Sequence, residues 1–263
     1  MEHSTRYIVL FAAAVCGVCS IFVAASAVSL KDLQERNQRL DVQTKVLLLA
    51  GLLDDDDDLS GDEIEQLYDE RIAARAIEFG TGEYAEDVDP GAIDPRLETS
   101  DPSASEPAPP NAAQVRRLPN RGVVYHVKDD AGAVEGLILP IHGKGLWSTL
   151  YGFLRLDREG TQIEGISYYQ HGEKPGLGGE VDTPRWHALW RGRKAFDQDG
   201  DVAITVKKGQ AGPPEKDPHH VDGLSGATIT SRGVTNMLAF WLSQDAFGPY
   251  LEKFRAEMSK GGV

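Results

Sequence analysis

Residues 7–30 run for 24 positions without a charged side chain. At ~1.5 Å rise per residue, a helix of that length crosses a hydrocarbon core of ~30 Å. The pattern predicts an uncleaved membrane anchor; the competing reading is a signal peptide cut near Ala25-Ser26-Ala27. The run is longer than the apolar centre of an ordinary signal peptide, which favours the anchor. A lipoprotein site does not fit, because Val15 and Val18 stand where a small residue should precede Cys16 and Cys19. Leu33, Leu40 and Leu47 follow at intervals of seven and predict an amphipathic helix leaving the span. The acidic run 54–58 breaks it. Ile64, Leu67, Tyr68, Ile72, Ala76 and Phe79 then predict a second helical face.

Residues 83–113, rich in Asp, Glu, Pro, Ser and Ala, read as an irregular connector. Beyond them come short β-like runs at 123–127, 134–141, 150–156, 162–169 and 202–206, separated by glycine-rich turns. Val234, Met237, Leu238, Trp241 and Leu242 then take helical spacing. Strands followed by a helix, without βαβ alternation, predict an α+β fold. The expected organisation is a tip and transmembrane helix at 1–30, a helical and acidic connecting region at 31–113, and a soluble domain of antiparallel strands flanked by helices at 114–263.

Charge sharpens this division. The net charge is −14, but residues 54–106 alone hold 19 acidic and 3 basic side chains, which leaves the other 210 residues at +2. A nucleic-acid binder, which needs a basic face, is therefore not expected. The only two cysteines lie inside the apolar run. That excludes a cysteine-ligated zinc or iron–sulfur site in the soluble part. Their Cys-x-x-Cys spacing invites a redox reading, but the neighbours are Val15, Gly17, Val18 and Ile21, and small-residue packing in lipid fits them better. Asp56, Asp58, Ser60 and Gly61 open like a calcium loop, yet its twelfth position is Leu67; helix-start acid is the plainer reading. The seven histidines form no metal grouping by spacing, the adjacent His219-His220 included. No Walker A or Rossmann fingerprint occurs, so NADH oxidation on this chain is not expected.

The sharpest string is Asp222-Gly-Leu-Ser-Gly-Ala-Thr228, just before a helix expected to start near Thr230 or Ser231. It fails as a hydrolase elbow, because Ala227 replaces the last glycine. A glycine turn with hydroxyl caps from 228–231 is the plain structural reading. A phosphate attached at Thr228 would also sit beside free N–H groups at the positive end of a helix dipole.

These residues resemble the flavinylation motif D-x-x-[ST]-G-A-[ST], whose last hydroxyl bears FMN through a phosphoester. The wider chain resembles the family of covalent FMN-binding subunits of Na+-translocating NADH:quinone reductases. The likeness rests also on His142-Gly-Lys-Gly-Leu-Trp147, Gly172-Glu-Lys-Pro-Gly-Leu-Gly-Gly-Glu180, Phe247-Gly-Pro-Tyr250 and the N-terminal anchor. The resemblance implies FMN esterified to Thr228, with Ser225, Gly226 and Ala227 turning around the phosphate. It also implies that Asp222 belongs to the signal read by a separate flavin transferase that uses FAD and Mg2+. A threonine hydroxyl is a weak nucleophile, so an outside activator makes chemical sense. Leu177 would face the isoalloxazine ring, with Gly178 leaving room for it; an ordinary turn is the alternative. Trp147 would wall a second side with Gly143, Gly145 and Leu146, or be core. Lys207 would place charge near the reduced flavin or its phosphate, or be a solvated lysine. The implied partners are the other subunits, the transferase and the membrane, with the flavin domain periplasmic. Lys31, Arg36, Arg39 and Lys45 against Arg6 predict the opposite side. The rivals are the homologous flavin subunit of the ferredoxin-dependent Rnf complex and a non-redox membrane-tethered assembly module. The Gly-Leu-Trp string and the long segment before the flavin domain speak against the first, and the 222–228 motif against the second.

Overall fold

The computed structural model describes residues 4–54 and 56–260. The chain divides into two units, 1–44 and 45–263. The first is most of helix α1 (Thr5–Leu49), in which Thr5–Lys31 is long and apolar enough, at 27 residues, to cross a membrane. Its apolar side chains are exposed, and so are the free thiols of Cys16 and Cys19. The predicted helix beyond the span continues α1. Its seven-residue leucine spacing marks no single buried face, since Leu33 is exposed and Leu47 fully buried.

In the second unit the last turn of α1 is anchored. Val46 and Leu47 are buried, Gly51 adopts φ +67°, and the Leu52 N–H reaches the Leu47 carbonyl at 3.0 Å. This left-handed glycine stop satisfies carbonyls that the helix end leaves free. Arg155 adds a cation there, donating from Nη1 to the Ala50 carbonyl at 2.6 Å and the Leu49 carbonyl at 3.3 Å.

Helix α2 (Gly61–Arg71) starts at Ser60, whose Oγ accepts the Glu63 N–H while the Glu63 carboxylate accepts the Ser60 N–H at 2.8 Å. This reciprocal cap is the work of the segment whose acids resemble the opening of a calcium loop. The expected helical face then fails: Ile72–Glu78 is strand β1. Ile72 and Ala76 fit a period of two as well as a spacing of four. Antiparallel pairing with β4 (Arg121–Lys128), from Ile72↔Val127 to Glu78↔Arg121, buries Ile72, Ala76 and Ile77. That burial overrides the helix preference of an alanine-rich run. Phe79 follows the strand and packs edge-on against Phe247, with ring centroids 5.1 Å apart.

Residues 83–113 are mostly irregular, with a 3-10 turn at Pro90–Ala92, helix α3 (Pro95–Glu98) and strand β2 (Ser105–Pro107), which pairs with β3 (Arg117–Pro119). Ala85, Ile93 and Ala113 are buried, so the segment packs onto the domain. Strands β5 (Val134–Lys144), β6 (Thr149–Asp157) and β7 (Gln162–Gln170) coincide with predicted runs. Helix α4 (Pro184–His187) and strand β8 (Arg193–Lys194) follow. The main sheet is antiparallel, in the order β1-β4-β5-β6-β7-β8. The predicted strand at 202–206 shrinks to β9 (Thr205–Val206), parallel to β10 (His220–Val221). Ile204 is buried, but a two-residue partner supports no longer ladder. Helix α5 (Thr228–Trp241) lies against β5 and buries Val234, Met237, Leu238 and Trp241 as their spacing predicts. Helix α6 (Gly248–Ser259) brings the Tyr250 hydroxyl to within 2.6 Å of His126 Nε2 on β4.

Candidate functional site

The turn 222–228 leaves β10 and runs straight into α5, which begins at Thr228, two residues earlier than expected. Gly226 adopts φ +71°, where a side chain is strained, and Ala227 stands at the N-cap. The helix start therefore lacks a side-chain cap. Its first N–H groups have no intrahelical partners, and alanine offers no oxygen to meet them. The Thr228 side chain is exposed at this point, as is Ser225. The expected hydroxyl caps do other work. Ser231 Oγ accepts the Leu224 N–H at 3.1 Å, and Thr230 Oγ1 donates to Glu173 Oε2 at 2.8 Å.

A cleft of about 260 Å3 opens beside Thr228, and Lys207, Lys208 and Arg232 lie in its lining. Lys207 Nζ stands 3.5 Å from Asp217. A hydrogen bond with His220, followed by one from the Gly212 N–H, pulls the Asp217 carboxyl down to about 2, so it stays ionised opposite the lysine. Asp222 braces the turn from beneath: its Oδ1 accepts the Ala211 N–H at 2.8 Å, and its carbonyl accepts Trp186 Nε1–H at 3.0 Å.

Leu177 touches the same turn, since a Cβ built on Gly226 would lie 3.0 Å from Leu177 Cδ2. Outside α1, the exposed large apolar side chains among the described residues are Leu59, Leu97, Leu146, Trp147, Leu177 and Ile229. The last four come from the three segments that meet here, and such a patch marks a binding surface. Trp147 is 58% exposed, so it is not core; Lys174 Nζ sits 4.1 Å over its ring.

Glu173 was not foreseen, although a charge flanked by glycine-rich chain was its signal. It is 5% exposed, and its Oε1 accepts the N–H of Trp147 at 2.8 Å and of Ser148 at 3.1 Å. Burial pushes this carboxyl up, but the Thr230 hydroxyl and the Ser148, Trp147 and Leu146 N–H groups outweigh it and hold it below the ordinary value. Gly178 is buried, and a Cβ there would lie 2.6 Å from both Glu173 Oε2 and Thr230 Oγ1. Its missing side chain makes room for that pair rather than for a ring. Gly143 likewise faces α5, where a Cβ would meet Met237 Cβ at 2.8 Å. Lys208 and Arg232 were also not foreseen; in sequence they look like any surface cation.

An uncapped helix start with an exposed hydroxyl, a cationic cleft and an adjoining apolar patch together suit a phosphate ester with a flat ring. Residues 145–243 match the FMN-binding domain family, which makes this a domain of the flavin-nucleotide class. The chain is 44% identical over 257 residues to NqrC of the Na(+)-translocating NADH-quinone reductase of Pseudomonas aeruginosa, covering 97% of each. It is 43% identical over 249 residues to that of Yersinia pestis, covering 94% of this chain and 92% of the relative. The crystal structure of Shewanella oneidensis NqrC matches with a TM-score of 0.76 at 32% identity, over 85% of this chain and 99% of that one. The chain belongs to the NqrC family of Na(+)-translocating NADH-quinone reductase subunits.

Proposed function

We propose that this chain is the electron-carrying flavoprotein subunit of a membrane Na+-pumping NADH:ubiquinone reductase, with FMN joined through a phosphoester to Thr228 Oγ1. One observation carries the reading: an exposed hydroxyl at the first position of a 14-residue helix that lacks a side-chain cap, beside a cleft lined by Lys207, Lys208 and Arg232. Free N–H groups and cations at one point suit a phosphodiester. Ser225, Gly226 and Ala227 form the turn around it, and Leu177 and Trp147 offer apolar surface to the ring. Bound FMN supplies the electron chemistry, while the chain orients and shields it.

Nothing in the turn activates Thr228. The Asp222 carboxylate is engaged with the Ala211 N–H, which supports attachment by a separate flavin transferase using FAD and Mg2+. The other subunits of the reductase are the standing partners, and Thr5–Lys31 serves as a single-span anchor in the inner membrane. A non-redox assembly module would leave the uncapped helix and its cationic cleft without a purpose. Thr228→Val in the full chain, made alongside the transferase, is expected to fold and to lose all in-gel flavin fluorescence, with the intact mass of the bare polypeptide. Persisting fluorescence of that variant in a denaturing gel would place the attachment elsewhere.

A further inference from the structure

Three segments supply the residues assigned to the flavin: the turn 145–148 with Trp147, the turn 173–178 with Leu177, and the start of α5 with Thr228. One carboxylate joins all three. Glu173 Oε1 accepts the Trp147 N–H at 2.8 Å and the Ser148 N–H at 3.1 Å, and Oε2 accepts the Thr230 hydroxyl at 2.8 Å. The chain is cut back around this group on two sides. A Cβ on Gly145 would lie 2.6 Å from Oε1, and a Cβ on Gly178 would lie 2.6 Å from Oε2. Two glycines from two different turns thus make room for one side chain. A buried charge is costly unless hydrogen bonds satisfy it. Here the donors come from the segments that have to be held together, so the cost of burial and the fit of the site are coupled.

We propose that Glu173 is a positioning residue of the flavin site: its ionised carboxylate fixes Trp147, Leu177 and the Thr228 helix start in one arrangement before FMN arrives, and leaves a fixed negative charge beside the ring. This rests on the flavin reading above. Preorganisation of this kind depends on supporting groups whose own geometry is locked. The hydrogen-bonded donors keep the acid ionised in spite of burial.

The test uses the full chain as Glu173→Ala, Glu173→Gln and Thr230→Val. Glutamine keeps an oxygen for the Trp147 N–H and turns its amide toward the Thr230 hydroxyl, so it removes charge and preserves fit. Trp147 is the exposed tryptophan of the four, with Trp186, Trp190 and Trp241 buried, so acrylamide quenching reports on its turn with or without FMN. E173A is expected to change that quenching and to raise native flavin emission, while the amount of covalent FMN in a denaturing gel stays at the wild-type level. E173Q is expected to restore both signals yet shift the flavin midpoint potential positive, since reduction no longer meets a fixed negative charge. Wild-type quenching and emission in E173A overturn the positioning role. If E173A fails to fold, wild-type quenching in T230V does so instead. An unmoved potential in E173Q overturns the charged form. Wild-type chain without covalent FMN sinks the flavin attachment, and the quenching comparison still judges Glu173.

Discussion

Gly233 lets α5 lie on β5 with no side chain between them: a Cβ there would stand 2.4 Å from the Lys144 carbonyl oxygen and 3.2 Å from Gly145 Cα. Both neighbours are backbone and cannot swing aside. Gly233→Ala is expected to cost about 1–3 kcal/mol, the ordinary range for overpacking, measured as a lower urea midpoint. Because Gly233 is in the helix that begins at Thr228, flavin content should fall with it. Leu177 presents the opposite case. It is 43% exposed and anchors little, so Leu177→Ala should leave stability and ester formation intact. Its expected effect is a shifted flavin absorbance and slower electron transfer; unchanged spectra and turnover would remove Leu177 from the ring's surroundings. The sequence string that drew attention to Leu177 and Gly178 treated them alike. Only the fold separates them, because the burial of Gly178 depends on Glu173 and Thr230 reaching it from other segments.

At the scale of elements, α1 ends where the sheet meets it. Arg155 of β6 donates to the last carbonyls of the helix and pairs with Glu135 at 3.3 Å. Arg155→Met keeps the aliphatic stem and removes the donors, so it should destabilise the domain by about 1–3 kcal/mol, the cost of leaving buried acceptors unmet. A thermal melt of the full chain in detergent checks this, and an unchanged Tm would mean the carbonyls find other donors. The long strands were legible because β4 to β7 alternate or run apolar between glycine turns, and α5 was legible from its spacing. Three elements were not. β1 reads as helix because Ile72 and Ala76 satisfy both periods, and only β4, some fifty residues later, decides between them. β9 is too short for a pattern to specify. α5 starts at Thr228 because Ser231 and Thr230 spend their hydroxyls on Leu224 and Glu173, which no local rule reveals. The motif 222–228 was readable at a glance, whereas the carboxylate that holds its surroundings together was not.

The whole molecule is set by where its charges are held. His126 is buried against Tyr250, and burial, with Arg75 adding to it, drops its pKa from 6.5 to about 4. The fold thus holds it neutral, and this contribution is complete above pH 6.5. As pH falls from about 6.5 to about 4, the unfolded chain takes up a proton that the fold refuses, and stability drains by up to about 1.4 kcal/mol per pH unit for that proton. His126→Phe combined with Tyr250→Phe should flatten the urea midpoint across that window by about one proton; an unaltered slope assigns the acid loss to other groups. Charge also bears on the side of the membrane, and there two arguments conflict. Lys31, Arg36, Arg39 and Lys45 follow the span and only Arg6 precedes it among the nearest basic residues, which favours a cytoplasmic domain. The acidic block 54–106 counts for little in that rule. The family resemblance implies the reverse, with a short N-terminal tip inside and the flavin domain outside. Covalent attachment suits the outer side, where a cofactor once lost is not readily replaced. The bias of lysine and arginine is a statistical preference, and partner subunits can fix a single span against it. The expected outcome is therefore alkaline phosphatase activity from a reporter fused after Val263 in cells that make the whole complex. Signal from a cytoplasmic reporter alone at that position would return the domain to the side that its flanking charges prefer.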